Sequence, residues 1–254
     1  MPSLARLDIQ GPIATLTLNR PDAHNALSIA MLADAHARMD ELERLSPTGS
    51  APTVLVLTGA GRSFCAGMDL KEVIIDQDPS LPLQLLESLA RLTFRIRNLP
   101  AVVVGRVSGA AIGGGCGLVT VCDLAVTHKD AKLGFPEVDL GLCPAVVAPW
   151  LVRKIGPGRA RKVLLSGGLM SGKEACEIGI VTEAVESRDE IDEAVHKLTA
   201  TLATGGRDAL RATKQLLNSL DGSTDLPILL EAAKLSASVL ATADAQNRLK
   251  ARQK

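Results

Sequence analysis

The sequence has no net charge. Its 28 Lys and Arg balance 28 Asp and Glu, which removes any electrostatic case for nucleic acid or an anionic membrane as partner and leaves a small substrate as the expectation. It has no CxxC pair either. Cys65, Cys116, Cys122, Cys143 and Cys176 make no metal-ligand spacing with the four scattered histidines, so no metal is expected and the thiols read as small buried residues in a reducing compartment. No apolar run approaches the roughly 18 residues of a membrane span, and "MPSLARLDIQ" lacks the basic-then-apolar pattern of a secretion signal. The expectation is a soluble, cytoplasmic protein.

Nucleotide motifs fail at the positions that carry their chemistry. "GGLMSGKE", Gly167 to Glu174, matches GxxxxGK but offers Glu174 where a P-loop needs a hydroxyl for magnesium, and a carboxylate there repels phosphate. Gly109 to Gly117 lacks a good GxGxxG, and "GRVSGA" around Ser108 is not the GxSxG of a nucleophile elbow.

What the chain does have is length for one large domain or two small ones, and a concentration of glycine in "SGAAIGGGCGLVTVCD", Ser108 to Asp123. Glycine inside a helix costs about 1 kcal/mol relative to alanine, so Gly113, Gly114 and Gly115 ahead of an apolar helical run suggest that something must touch the backbone there. The stretch holds no acid before Asp123.

Residues 4 to 19 alternate in two runs broken by Gly11 and Pro12, as a β-hairpin does. Ser28 to Leu45 reads as a helix capped by Ser28. "TVLVLTGAG" from Thr53 and "AVVVGRVSG" from Ala101 read as buried strands, with a helix over Leu81 to Asn98 between them and a further strand at 123–128. "VLVLTGAGRSFCAGMDLK" and "VVVGRVSGAAIGGGCGLV" form a weak internal repeat, each a strand, a small-residue turn and a helical start. Each helix start offers unpaired N–H groups and a positive dipole end, so two facing units could hold one developing negative oxygen; the competing reading is glycines that merely permit tight packing. Beyond residue 140 the pattern predicts helices, broken only by a strand at 179–185, with Pro227 suited to a first turn.

"LTLNRPDAHNALS", "TGAGRSFCAGMDLK", "GAAIGGGCGLVTVCD", "FPEVDLGL" and "LSGGLMSGKEACEIGIV" occur in the order of the signatures of the crotonase family, the enoyl-CoA hydratases and isomerases, which this chain resembles over most of residues 6 to 185. The resemblance implies an α/β spiral of β-β-α repeats over residues 1–187 that carries the CoA-binding and catalytic site, and a helical C-terminal region over 188–254 that serves trimerisation and covers the active site, assembled as a homotrimer or a dimer of trimers. It implies an acyl-CoA thioester as substrate, with no cofactor beyond the CoA of that substrate. The thioester oxygen would meet the backbone N–H groups of Met68 and Gly114, and the enolate formed by removing the neighbouring proton would be stabilised there.

Hydratases of this kind carry two glutamates, one in "GGGCE" and one in "PE"; here the first position is Gly117 and the second Glu137. Double-bond isomerisation needs only one base, while relatives with "GCGLV" are similar to branched enoyl-CoA hydratases, so both reactions stand open. A catalytically inactive CoA-binding or assembly subunit is the alternative. A glutamate restored at 117 is expected to raise hydration. Phe135, Pro136, Val138 and Leu140 would raise the pKa of Glu137 if it is buried. Asp139, two residues on, would share a side with Glu137 in an extended run; it reads as a second acid, a solvated carboxylate or an arginine partner.

By the same resemblance Arg20, Ala23 and Ala26 neighbour the CoA, Ala66, Gly67, Asp69, Leu70, Lys71 and Gly113 are further substrate-binding residues, and Cys143 and Trp150 fall where the acyl pocket is shaped. Lys71 reads either as a contact to CoA phosphate or as a solvated lysine, and His24 as a surface residue of the first loop. Pocket shape is expected to depend on residues 72–95 and 143–151.

Overall fold

The computed structural model describes residues 3–45, 51–74, 78 and 80–251. The expectations for residues 1–187, 188–254 and 72–95 extend over a few positions, 1–2, 46–50, 75–77, 79 and 252–254, that lie outside the described residues.

The hairpin forms as expected: β1 (Ala5–Gln10) and β2 (Ile13–Leu18) pair antiparallel across Gly11 and Pro12. Helix α1 (Ile29–Leu45) begins where the Ser28 hydroxyl accepts a hydrogen bond from the Met31 N–H at 3.1 Å, satisfying one of the helix's orphan donors. The apolar run after Thr53 becomes β3 (Val54–Gly59), buried along its whole length. The single turn α2 (Leu70–Val73) and the long α3 (Leu81–Asn98) lead to β4 (Val102–Val107).

The glycine-rich segment supplies β5 (Ala111–Ile112) and α4 (Gly114–Val121), followed by β6 (Leu124–His128) and β7 (Lys132–Gly134). After them come α5 (Ala148–Ile155), α6 (Pro157–Ser166), β8 (Leu169–Ser171), α7 (Gly172–Glu177) and β9 (Glu183–Val185). Four helices end the described chain: α8 (Ile191–Ala203), α9 (Arg207–Leu220), α10 (Leu226–Leu240) and α11 (Ala243–Ala251).

The main sheet runs β1-β2-β3-β4-β6-β9, parallel from β2 onward. Parallel pairing requires each crossover to leave the sheet and return, and those excursions carry a second layer of short strands. β5 pairs with β7 and β7 with β8, while isolated parallel bridges join Leu27 to Met68 and Cys65 to Ala111. Successive crossovers are thereby stacked edge to edge, a spiral of β-β-α turns.

Two expectations change. The helical stretch beyond residue 140 also contains β8, and only 183–185 of the 179–185 run is extended, because the chain turns at Gly179, whose φ is +90°, before entering β9. The C-terminal helices pack on the same body. Leu229 and Ala233 of α10 belong to one hydrophobic cluster with Leu55, Val103 and Leu89.

Candidate active site

The segment after β3 is fixed by its neighbours on both sides. Cys65 N donates to Ala110 O at 3.0 Å, Ile112 N to Cys65 O at 3.0 Å, Leu27 N to Gly67 O at 2.7 Å and Asp69 N to Leu27 O at 3.0 Å. These bonds use the peptide groups flanking Met68, whose own N–H has no acceptor among the described residues. The N–H of Gly114 is likewise without one, because it lies in the first turn of α4, where no carbonyl precedes it along the helix. The two segments touch: a Cβ built on Gly67 would stand 3.6 Å from Gly114 N and 2.7 Å from Ile112 O. Two N–H donors on adjoining segments result, one of them at the positive end of a wholly buried helix.

Glu137 completes the group. It follows β7 in a turn and starts a single tight helical turn over Val138–Leu140, with its carbonyl accepting from Leu140 N at 3.0 Å and Leu142 N at 2.9 Å. The side chain is only 8 % exposed, and its Oε2 is buried without a hydrogen-bond partner among the described residues. Burial pushes its pKa up from 4.5 to about 7, a hydrogen bond from its own backbone offsets part of this, and the Asp139 charge adds to the rise. A Cβ on Gly113 would lie 2.9 Å from Glu137 Oε1, which places the carboxyl directly beside the glycine turn.

Met68, Gly114 and Glu137 line one cavity of about 20 Å³. Its walls come from Leu86 and Leu89 of α3, the 142–147 loop with Cys143, and Ser236 and Leu240 of α10. A buried carboxyl near neutrality beside two unpaired N–H donors can remove a proton from a carbon while the negative charge grows on an oxygen held by those donors.

The remaining expected residues are distributed around this centre. Arg20 pairs with Asp69 at 2.7 Å and its N–H reaches Ala26 O at 3.4 Å, so the first loop, with half-buried Ala23 and Ala26, is tied to the Met68 segment. Asp69 also caps α2, accepting from Lys71 N at 3.1 Å, while Ala66 N donates to His24 O at 3.0 Å. The Lys71 side chain is exposed, Leu70 packs against the C-terminal helices beside Met68, and His24 is an exposed residue whose Nδ1 meets the Ser63 hydroxyl at 3.1 Å.

Trp150 is not part of the cavity. It is buried elsewhere, its indole N–H donating to Thr93 Oγ1 at 3.1 Å and the Arg153 guanidinium lying 5.0 Å from its ring centre. Asp139 is no second acid: the tight turn after Glu137 replaces the extended run, and the exposed Asp139 carboxylate accepts from Gly168 N at 2.9 Å instead. Among the described residues it pairs with no arginine either. The P-loop reading is closed by a capping box, in which the Glu174 carboxylate accepts from Ser171 N at 2.7 Å and Ser171 Oγ from Glu174 N at 3.2 Å.

Three residues that shape the site carried no separate signal. Asn25, buried with φ +57°, donates to Ala60 O, Ser63 O and Phe64 O and accepts from Arg20 N at 2.8 Å, bracing the loop that leads to Met68. Val147 and Ser236 complete the wall; the expectation that 143–151 shapes the pocket pointed to Val147, and for Ser236 there was only the expectation that the C-terminal region covers the site.

This spiral fold, with its paired backbone donors and a buried carboxyl, defines a crotonase-type enzyme. The family model described as Enoyl-CoA hydratase/isomerase matches residues 8–251, and the chain belongs to that family. It is 34 % identical over 209 residues, 82 % of this chain and 79 % of the other, to the 2,3-dehydroadipyl-CoA hydratase of Escherichia coli strain K12. It is 32 % identical over 220 residues to the 1,2-epoxyphenylacetyl-CoA isomerase of the same strain, covering 85 % and 82 % of the two chains. The crystal structure of an enoyl-CoA hydratase from Mycobacterium avium superposes with a TM-score of 0.86 at 27 % identity, covering 100 % of this chain and 97 % of that one.

Proposed function

We propose that the protein acts on acyl-CoA thioesters through an enolate, with Glu137 as the single carboxyl that takes and returns the proton. The observation that carries this reading is the Glu137 carboxyl, with Oε2 buried and unpartnered, in the same cavity as the unpaired N–H groups of Met68 and Gly114. The thioester oxygen lies between the two donors, which strengthen as charge arrives; each such donor is typically worth about 10² to 10³ in rate. Glu137, with a pKa of about 7, is substantially ionised at neutral pH and so can act as base, and in its acid form it can give the proton back.

The CoA lies along the first loop and the Met68 segment, which the Arg20–Asp69 pair holds together. The reading includes assembly as a homotrimer or a dimer of trimers in the cytoplasm, with no cofactor besides the substrate's CoA. Exposed Leu165, Leu169, Leu216, Leu217 and Leu220 support burial between copies.

Glu137→Gln preserves size and removes the base. Deuterium exchange at the α-carbon of a bound thioester, followed by mass spectrometry, is expected to fall by about 10² to 10⁴ with thioester affinity nearly unchanged. Exchange at the wild-type rate in the variant would overturn the assignment. Tight CoA binding by the wild-type protein with no exchange on a panel of 2-enoyl and 3-enoyl thioesters would favour the inactive binding subunit.

A further inference from the structure

Gly117 lies three residues after Gly114 on α4, so the two share a helix face. A Cβ built on Gly117 would stand 2.4 Å from Val147 Cγ1 and 3.2 Å from Val147 Cβ, far inside contact distance. Val147 is 3 % exposed and lines the cavity with Gly114 and Glu137. It cannot easily turn aside. Its side chain branches at Cβ, and its backbone is committed at both ends, N–H to Pro144 O at 3.3 Å and carbonyl from Leu151 N at 3.1 Å.

The rest of the wall is short of groups that could hold water. Apart from Glu137, the lining side chains that hydrogen-bond are the Ser236 hydroxyl and the weakly bonding Cys143 thiol. That hydroxyl is already engaged, donating to Cys143 O at 2.8 Å and accepting from Ala145 N at 3.1 Å. An ordered water needs two to four polar partners, and a water poised to add to a carbon also needs a base that is not occupied with the substrate's own proton.

Resting on the enolate reading above, we propose that Val147 selects the reaction. It fills the space of a side chain at position 117 and keeps that wall apolar, so that Glu137 moves a proton along the bound acyl chain and no water is added. The substrate class is then a 3-enoyl-CoA and its conjugated 2-enoyl isomer, with an uncharged apolar chain. The Glu137 carboxylate takes a proton from C2, and the C–H electron pair enters the enolate whose oxygen meets Met68 N–H and Gly114 N–H. Glu137, now the acid, gives the same proton to C4 as the double bond moves from C3–C4 to C2–C3. Nothing is gained or lost overall.

This geometry also corrects the expectation that a glutamate at 117 alone raises hydration, because Val147 already occupies the space the new side chain would enter. The test compares wild type, Val147→Ala, Gly117→Glu and the double variant Val147→Ala/Gly117→Glu. But-3-enoyl-CoA isomerisation and but-2-enoyl-CoA hydration are followed separately, with the fold checked by circular dichroism.

Wild type is expected to isomerise faster than it hydrates. Val147→Ala is expected to shift the ratio toward hydration, and the double variant to raise hydration at least about tenfold over Gly117→Glu. An unchanged ratio in Val147→Ala, or Gly117→Glu hydrating as well as the double variant, would overturn the role of Val147. If the double variant does not fold, Val147→Ala decides alone. Exchange at C2 that continues in all folded variants while the ratio does not move defeats the Val147 proposal and spares the enolate reading; absence of exchange in wild type defeats the enolate reading itself.

Discussion

Glu137 sits where the fold opposes its charge. Its raised pKa means that the folded chain holds a proton which the unfolded chain has already released between pH 4.5 and about 7. Stability is therefore lost as pH rises through that window and stays low above it. Glu137→Gln removes this dependence. Denaturant unfolding is expected to show the variant more stable than wild type at pH 8, by on the order of 1–3 kcal/mol, with the difference shrinking toward pH 4.5. A constant difference across that range would mean that the carboxyl is not charged at the cost of the fold.

The three neighbouring glycines answer to different needs. Gly113, with φ +54° and ψ −122°, holds a conformation open to little but glycine, and a side chain there would press on Glu137 Oε1. Gly115 lets the helix approach Cys65, whose carbonyl oxygen would be 2.2 Å from an added Cβ, which is the packing role that stood as the alternative reading. Gly114 itself is the least crowded, an added Cβ meeting only the tips of Leu27 and Leu89 at 3.2 Å, and its contribution is the unpaired N–H.

At the scale of elements, α10 reaches the candidate site through the Leu240 side chain and the Ser236 hydroxyl. Ser236 joins the 143–145 backbone to the helix, and the 142–147 loop it holds supplies Leu142, Cys143, Pro144, Val146 and Val147 to the cavity wall. Ser236→Ala strands a buried N–H at Ala145 and is expected to cost about 1–3 kcal/mol. It should also lower kcat by letting the Val147 wall drift, whereas Ser236→Thr, which keeps the hydroxyl, should retain most activity. A loss of stability in Ser236→Ala with kcat unchanged would limit the bond to folding.

The long elements were legible in the sequence because their patterns are long: α1 and α3 carry full turns of apolar spacing, and β3 and β4 open on the apolar runs 54–57 and 102–104 and lead into turn residues. Strands β5, β7 and β8, two or three residues each, carry too few side chains to show a period and exist because adjacent crossovers pair with one another. Glu137 and the glycine turn could be read locally or by resemblance. The Val147–Gly117 contact and the Ser236 clamp join positions far apart in sequence, and the tight turn that swings Asp139 outward is marked only by Gly141 at its end, where φ is +71°.

For the molecule as a whole, the C-terminal helices are bound to the central sheet by an ionic cluster. Lys214 of α9 is buried, its Nζ 2.8 Å from Asp123 Oδ2 and 2.7 Å from Ala101 O, while Arg97 reaches Asp123 at 3.3 Å and Asp221 at 2.9 Å. Burial lowers the Lys214 pKa, and the Asp123 charge opposes that shift. Lys214→Ala leaves the half-buried Asp123 with Arg97 and the Val103 N–H as partners and is expected to destabilise the chain by about 1–3 kcal/mol, read from denaturant midpoints. Turnover per folded molecule should stay near wild type, since none of these groups lines the cavity. The Ser236 clamp also has a consequence for synthesis. A ribosome adds roughly 5–20 residues per second, and Ser236 lies roughly one hundred residues beyond Glu137. The nascent chain therefore carries Glu137 for several seconds before the helix that walls it in has been made.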